Sequence, residues 1–131
     1  MLLLALLDVR AAPALDFRAA RSTTQFFGPT VPVTVTSLSQ RVLVISSNGF
    51  GTSTTPAHAL NLFICYQQPP NPVVPVANGV LGLSMPAGTT STQGMSRVLQ
   101  LPPGSYVVGM CGTGAAGWNN NTWGSTSVVV F

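Results

Sequence analysis

Acidic side chains are almost absent from this sequence. Its only carboxylates are Asp8 and Asp16, it has no Glu and no Lys, and from residue 22 onward the only charged residues are Arg41 and Arg97. Most enzyme chemistry near neutral pH uses Asp or Glu as an acid, a base, a metal ligand or an orienting group. The scarcity of carboxylates therefore argues against an enzyme and favours a protein of structure, assembly or binding.

The residues that could support catalysis or metal binding are also few. His58 is the only histidine, and no G-x-S-x-G nucleophile motif accompanies it. His58, Cys65 and Cys111 are too few for a closed zinc site and lack the usual short cysteine spacing, and calcium requires carboxylates. We predict no catalytic residue, no metal and no cofactor.

Clustered positive charge and long apolar runs are missing as well. Three of the five arginines lie in the N-terminal segment, and the two in the body are isolated, whereas nucleic-acid binding needs Lys and Arg gathered on one face. A membrane-spanning helix needs about 20 consecutive apolar residues, and the chain has no such run. We therefore predict neither a nucleic-acid partner nor a membrane span.

What the chain has in excess is apolar and uncharged polar residues. Charged residues make up 5% of the sequence, hydrophobic residues 46%, and the mean hydropathy is +0.42, whereas about 25% of an ordinary soluble domain is charged. A domain of 131 residues buries only about two-thirds of its unfolded surface. Part of the apolar surface should therefore be covered by a partner, most simply another copy of the chain.

The N-terminal segment, residues 1–21, allows two interpretations. Met1–Leu7 is apolar and is followed by small residues near Ala12 and Ala14, which resembles the end of a secretory signal peptide. The positive n-region is missing, however, and Asp8 and Arg10 interrupt the approach to the cleavage site. The alternative is an N-terminal arm, helical across 11–21, that packs on the domain or on a neighbouring copy. The body's composition favours a secreted origin.

The body, residues 22–131, is expected to be a single all-β domain. Alternating valines with Thr or Pro over 30–36 predict a half-buried strand, and Pro32 places it at a sheet edge. In 41–46 both faces are apolar, so this strand should be central. With the remaining segments the count is about eight strands, in an antiparallel, jelly-roll-like β-sandwich: 30–36, 41–46, 58–67, 73–76, 79–85, 95–101, 105–111 and 124–131.

Two turns are predicted from local chemistry. Ser47-Asn48-Gly49 carries the Asn-Gly pair typical of tight turns. Pro102-Pro103-Gly104 is expected to join 95–101 and 105–111 as a hairpin. Cys65 and Cys111 lie in separate strand-like segments, and they can form a disulfide in an oxidising compartment or remain buried thiols.

A resemblance follows from several of these segments together. Arg41-Val-Leu-Val, Leu60–Tyr66, the segment Leu101–Gly112 with its Leu-Pro-Pro-Gly-Ser-Tyr turn, and Trp118–Trp123 before a final valine strand resemble small secreted bacterial β-sandwich domains. The strand order is also similar to jelly-roll heads of the tumour-necrosis-factor-like kind, which assemble as trimers. The resemblance covers roughly residues 22–131, implies extracellular assembly or ligand binding, and assigns no functional residue.

The loop before the last strand is the candidate binding site. It contains Trp118, Asn119, Asn120, Asn121 and Trp123, and tryptophan faces combined with asparagine amides suit a neutral carbohydrate. Tyr66 or Tyr106 could extend such a site. Alternatively, the tryptophans cap the core or form a subunit contact while the asparagines make turns.

Two functions of different classes remain. The first is a secreted, extracellular or cell-surface structural protein that self-associates into a homo-oligomer, trimer or filament, because uncharged surfaces allow identical copies to stack closely. In a filament the arm could add as a strand to the next subunit. The second is a module that binds a neutral glycan through the Trp/Asn loop. We favour the first.

Overall fold

The computed structural model describes residues 5–12, 20–76 and 78–131, and this part of the chain is all β. Two antiparallel sheets pack as a sandwich. The ten strands are β1 (Ala5–Ala12), β2 (Arg21–Phe26), β3 (Val31–Val35), β4 (Val42–Thr52), β5 (Ala57–Gln67), β6 (Val74–Pro75), β7 (Val80–Met85), β8 (Thr89–Leu99), β9 (Gly104–Gly114) and β10 (Gly124–Val130).

The four-stranded sheet has the order β1-β10-β4-β8. In the six-stranded sheet, β2 and β3 both pair with one side of β9, β5 pairs with its other side, and β6 and β7 both pair with the far side of β5. β2 and β3 together occupy one strand position, and so do β6 and β7, which gives eight strand positions in chain order. The first position pairs with the eighth, the second with the seventh, the third with the sixth and the fourth with the fifth. This nested pairing is that of a two-stranded ribbon folded into a jelly roll.

The strand positions confirm part of the sequence prediction. β4 is central, between β10 and β8, as its two apolar faces indicate. β3, which contains Pro32, pairs only with β9 among the described residues and lies at an edge. A proline is tolerated there because an edge strand needs only half of its backbone groups for pairing.

Two local predictions are wrong. Residues 47–49 do not turn: Asn48 continues β4 and pairs with Gly124 on one side and Gln93 on the other. The hairpin at Pro102–Gly104 does not form either, because β8 pairs with β4 and β9 with β5 in the opposite sheet. The chain instead crosses the sandwich between β8 and β9, with Leu99 and Leu101 buried just before the two prolines.

Residues 5–12 of the N-terminal segment lie in the four-stranded sheet. β1 pairs antiparallel with β10 from Ala5↔Val130 to Ala12↔Gly124, so this stretch forms the outermost strand of that sheet. Residues 13–19, which include most of the helix considered for the arm, lie outside the described residues.

The interior consists of two apolar clusters with a polar layer between them. One cluster is built mainly from valines, and the other contains Phe27, Phe50, Leu62, Met110 and Trp118. Between the two, Ser46, Asn48 and Thr126 are buried, with the Ser46 and Thr126 hydroxyls 2.9 Å apart. Thr126 Oγ1 also donates to the Pro29 carbonyl at 2.7 Å, so these hydroxyls are satisfied.

Candidate functional site

The loop that holds the predicted site residues completes the four-stranded sheet. β10 pairs with β4 only as far as Asn48, so four further residues of β4 need another partner. Gly49 N donates to the Trp123 carbonyl at 2.7 Å, and Thr122 N donates to the Gly49 carbonyl at 3.1 Å. Asn120 N donates to the Gly51 carbonyl at 3.1 Å. The loop is therefore an irregular continuation of β10.

Its asparagines serve this pairing in different ways. Asn121 is buried; its Oδ1 accepts from Gly51 N at 3.0 Å and its Nδ2 donates to the Trp118 carbonyl at 3.1 Å. Asn119 Oδ1 accepts from the backbone N and the hydroxyl of Ser53. Asn120 is exposed and makes a longer side-chain bond, 3.5 Å to Thr90 Oγ1. Asn119 and Asn121 are thus engaged within the protein, and Asn120 has the most accessible side chain.

The two tryptophans do not share a surface. Trp118 is fully buried, its ring meets Phe50 edge to face with centroids 6.4 Å apart, and its Nε1 donates to the His58 carbonyl at 3.1 Å. Trp123, in contrast, is half exposed. A stacking platform made from both indoles does not exist, and Trp123 alone can contact a partner.

The tyrosines considered as extensions of the site lie elsewhere. Tyr66 and Tyr106 contact each other edge to face, with centroids 6.0 Å apart, and the Tyr106 hydroxyl donates to the Pro102 carbonyl at 2.7 Å. Tyr106 lies at the start of β9, whereas the Trp/Asn loop follows the end of that eleven-residue strand. The two sets of aromatic residues are at opposite ends of the sandwich.

Cys65 and Cys111 form a disulfide with a Cα–Cα distance of 5.8 Å. It joins the neighbouring strands β5 and β9, where Phe63 pairs with Cys111 and Cys65 with Gly109. The side chains of Leu60, Leu62 and Ile64 on β5 point into the core. Alternation along the strand therefore places the disulfide on the side of the six-stranded sheet that points away from the core. Both cysteines are nevertheless fully buried.

A surface that sequence reasoning missed is the outer face of the four-stranded sheet, here called the outer face. The register places Val9, Ser127, Ile45 and Ser96 side by side across it, with Val129, Leu43 and Val98 in a parallel row. Trp123 and Phe131 extend the same side of β10 at its two ends, opposite Gly49 and Arg41. Among the eight exposed large apolar side chains of the described residues, five are on this face and are 46–56% exposed: Val9, Ile45, Val98, Trp123 and Phe131.

Charge is absent from the middle of the outer face in the described part of the chain. Arg41 lies at one end, where its Nη1 donates to the Leu38, Ser39 and Gln40 carbonyls at 3.2–3.3 Å. Arg97 is on the opposite side of β8 from Val98, and its Nη2 donates to the Asn78 carbonyl at 2.8 Å. The sequence held one signal for this face, the apolar residues on both sides of 41–46, which indicated a central strand but not an exposed surface.

A shallow depression of about 260 Å³ lies on the outer face between β4 and β8. Ile45, Ser47, Gly94 and Ser96 line it, together with the neighbouring Ser46 and Met95. It exists because Gly94 has no side chain: a Cβ there would have Ser47 Oγ, at 3.9 Å, as its only neighbour within 4 Å. The depression and the projecting Trp123 therefore lie on the same sheet face.

The described residues contain no group of three or more His, Cys, Asp or Glu side chains placed to hold a metal ion. No helix in the described part of the chain is long and apolar enough to cross a membrane.

The fold is similar to one solved viral structure. A chain in the structure of infectious bursal disease virus, Gx strain, superposes with a TM-score of 0.52 and 16% sequence identity. The match covers 96% of this chain and 33% of the viral chain, so this chain spans about a third of that protein's length. At this identity the likeness shows the fold alone. No protein-family model matches the sequence, and no curated protein matches it.

Proposed function

We propose that this chain is a secreted, non-enzymatic structural protein that self-associates into a homo-oligomer or filament. The observation that carries the proposal is the outer face, where five exposed large apolar side chains lie on one sheet and the described side chains place no charge at its centre. Surfaces of this kind are typical of protein–protein contacts, since monomeric proteins rarely leave large contiguous apolar patches in water.

The fold and the composition support the same function. Jelly-roll sandwiches form the building blocks of viral capsids, although lectins use them too, and the structural likeness is to a chain of a virus particle. Only 5% of the residues are charged, so identical copies approach each other with little electrostatic repulsion. A disulfide fits an oxidising, extracellular environment.

The test is the native mass of the full chain, measured by light scattering behind a sizing column at two protein concentrations. We expect a defined oligomer or a polymer whose mass is a multiple of 13.6 kDa. A 13.6 kDa monomer at both concentrations would overturn the proposal.

A second candidate function, binding of a neutral carbohydrate, rests on one observation. Trp123 is half exposed and its neighbours on the sheet carry hydroxyl groups, including Ser125 and Thr92. Because Trp118 is buried in the core, a change in exposed-tryptophan fluorescence reports on Trp123. A change during titration with a neutral oligosaccharide, with no change in mass, would favour this function over self-association.

A further inference from the structure

We propose that the outer face docks on the same face of a second copy, with Trp123 of each copy seated in the Gly94 depression of the other. This inference rests on the proposed self-association and names the surface and the contact that would produce it. The partner is a second copy of this chain, and three features of the outer face argue for that occupant.

The first feature is self-complementarity. A contact between identical copies about a two-fold axis uses the same surface twice, so a projection and its recess must both lie on that surface. Trp123 is the largest exposed apolar side chain of the described residues, and the depression has a volume of about 260 Å³. The two lie on the same sheet face, which meets this requirement.

The second feature is the absence of charged side chains around the depression. In a contact between identical copies every charged group occurs twice on the shared surface, so a cluster of one sign would repel its counterpart. The side chains around the depression are serines, a glycine, an isoleucine and a methionine. Arg41 at the far end donates to the Leu38, Ser39 and Gln40 carbonyls of its own chain. A partner chosen by opposite charge would find nothing to pair with here.

The third feature is size. Four strands about 4.8 Å apart and up to eleven residues long, at about 3.4 Å per residue, give a face of roughly 600 Å² before side-chain relief is added. A standard protein interface uses roughly 800 Å² from each partner. Two sheets stacked about 10 Å apart would bury the exposed valines, Ile45 and the indole as they are buried in a sandwich core.

The decisive variant is Gly94→Glu. A side chain fits at this position in the monomer, since a Cβ would meet only Ser47 Oγ at 3.9 Å, but it fills the depression and places a charge where Trp123 of the second copy would be seated. The matched control is Thr34→Glu, which adds the same charge at an exposed position of β3 in the other sheet. A second variant, Trp123→Ser, removes the indole while keeping the backbone bond to Gly49.

Mass by light scattering and fold by circular dichroism are measured for all four proteins over the same concentration range. We expect Gly94→Glu to be a folded monomer, Trp123→Ser to dissociate at concentrations at least tenfold higher than the unchanged chain, and Thr34→Glu to assemble normally. In the unchanged chain, tryptophan emission should move to shorter wavelength as the concentration rises.

Assembly that persists in folded Gly94→Glu would overturn this docking mode while leaving self-association intact. A monomeric unchanged chain would instead overturn the proposed function itself. Quenching of Trp123 by a neutral oligosaccharide without any change in mass would assign the face to carbohydrate and overturn the inference as well.

Discussion

At the scale of single residues, the most constrained position is Asn48 in the polar layer of the core. It is fully buried, its Nδ2 donates to Met110 Sδ at 3.1 Å, and its Oδ1 has no hydrogen-bond partner among the described residues. Gly28 packs directly against it: the three atoms nearest to a Cβ at position 28 all belong to Asn48, including Nδ2 at 2.8 Å and Cγ at 2.9 Å. A Cβ at position 124 would also meet Asn48, with Cγ at 3.2 Å, so the missing side chains at 28 and 124 together make room for the amide.

This packing predicts a coupled pair. We expect Gly28→Ala to lower the free energy of unfolding by about 1–3 kcal/mol, because the added methyl group overfills the core. In an Asn48→Ala background the same change should cost at least about 1 kcal/mol less, since the obstructing amide is gone. Urea unfolding of the two single variants and the double variant measures the coupling. Thr34→Ala, at an exposed position of β3 in the other sheet, is the control and should change the free energy of unfolding by less than about 0.5 kcal/mol; additive effects at 28 and 48 would contradict the coupling.

At the scale of elements, the Trp/Asn loop replaces the missing end of β10. The Asn121 amide acts in place of a strand backbone, because its Oδ1 accepts the Gly51 amide proton in the ladder position. Since Gly51 and Asn121 are both buried, losing this acceptor leaves an N–H without water or protein to bond.

We therefore expect Asn121→Ala to destabilise the protein by about 1–3 kcal/mol and to accelerate hydrogen exchange at the Gly51 amide. Asn120→Ala is the control, because Asn120 is exposed and its side chain makes only a 3.5 Å bond; its effect should stay below about 0.5 kcal/mol. Equal effects of the two substitutions would show that the Asn121 side chain is not the acceptor that Gly51 needs.

The disulfide gives a second prediction at this scale. It joins β5 to β9 across a sequence separation of 46, for which loop-closure entropy predicts about 4 kcal/mol of stabilisation. We expect a Cys65→Ala, Cys111→Ala double variant to lose about 2–4 kcal/mol in denaturant unfolding. A reducing agent should destabilise the unchanged chain by a similar amount and leave the double variant unaffected. Insensitivity of the unchanged chain to reduction would contradict this.

The elements also show what could be predicted from the sequence and what could not. The sandwich, the central position of 41–46 and the edge position of 30–36 follow from alternation and from Pro32, which are local properties. Asn48-Gly49 has turn chemistry, yet it lies inside β4 because strands on both sides pair with it. The Pro102–Gly104 segment likewise predicts a bend, but it does not determine which strand β9 pairs with. The pairing of β9 with β5 depends on contacts between residues that are distant in sequence.

The candidate site was predictable to a similar degree. The Trp/Asn loop is identifiable from composition. The burial of Trp118 and the exposure of Trp123, however, depend on where the end of β10 meets β4. The outer face consists of side chains from four strands and the adjoining loop, residues that lie far apart in the sequence. Only the strand order brings Val9, Ile45 and Val98 onto one surface.

At the scale of the whole molecule, the near absence of charge determines how the proposed assembly should respond to salt. The net charge is +3 with only two acids in the chain, and the side chains that the structure describes place no charge at the centre of the outer face. Apolar burial then drives association, and salt screens only a weak repulsion between copies. We expect the dissociation constant to change by less than about threefold between 50 and 500 mM NaCl, and to fall in ammonium sulfate, which strengthens burial of apolar surface.

Sedimentation or light scattering over a salt series measures this response, and Thr34→Glu, with its extra charge on the other sheet, should show the same flat dependence. A steep weakening with NaCl would mean that arginine side chains form the contact, as they do where charged groups attract each other across an interface. That result would move the interface away from the outer face, since Arg41, the only arginine that the described residues place there, is bonded to carbonyls of its own chain. A flat response leaves apolar burial as the driving force, which is the mode of association that Val9, Ile45, Val98 and Trp123 are placed to supply.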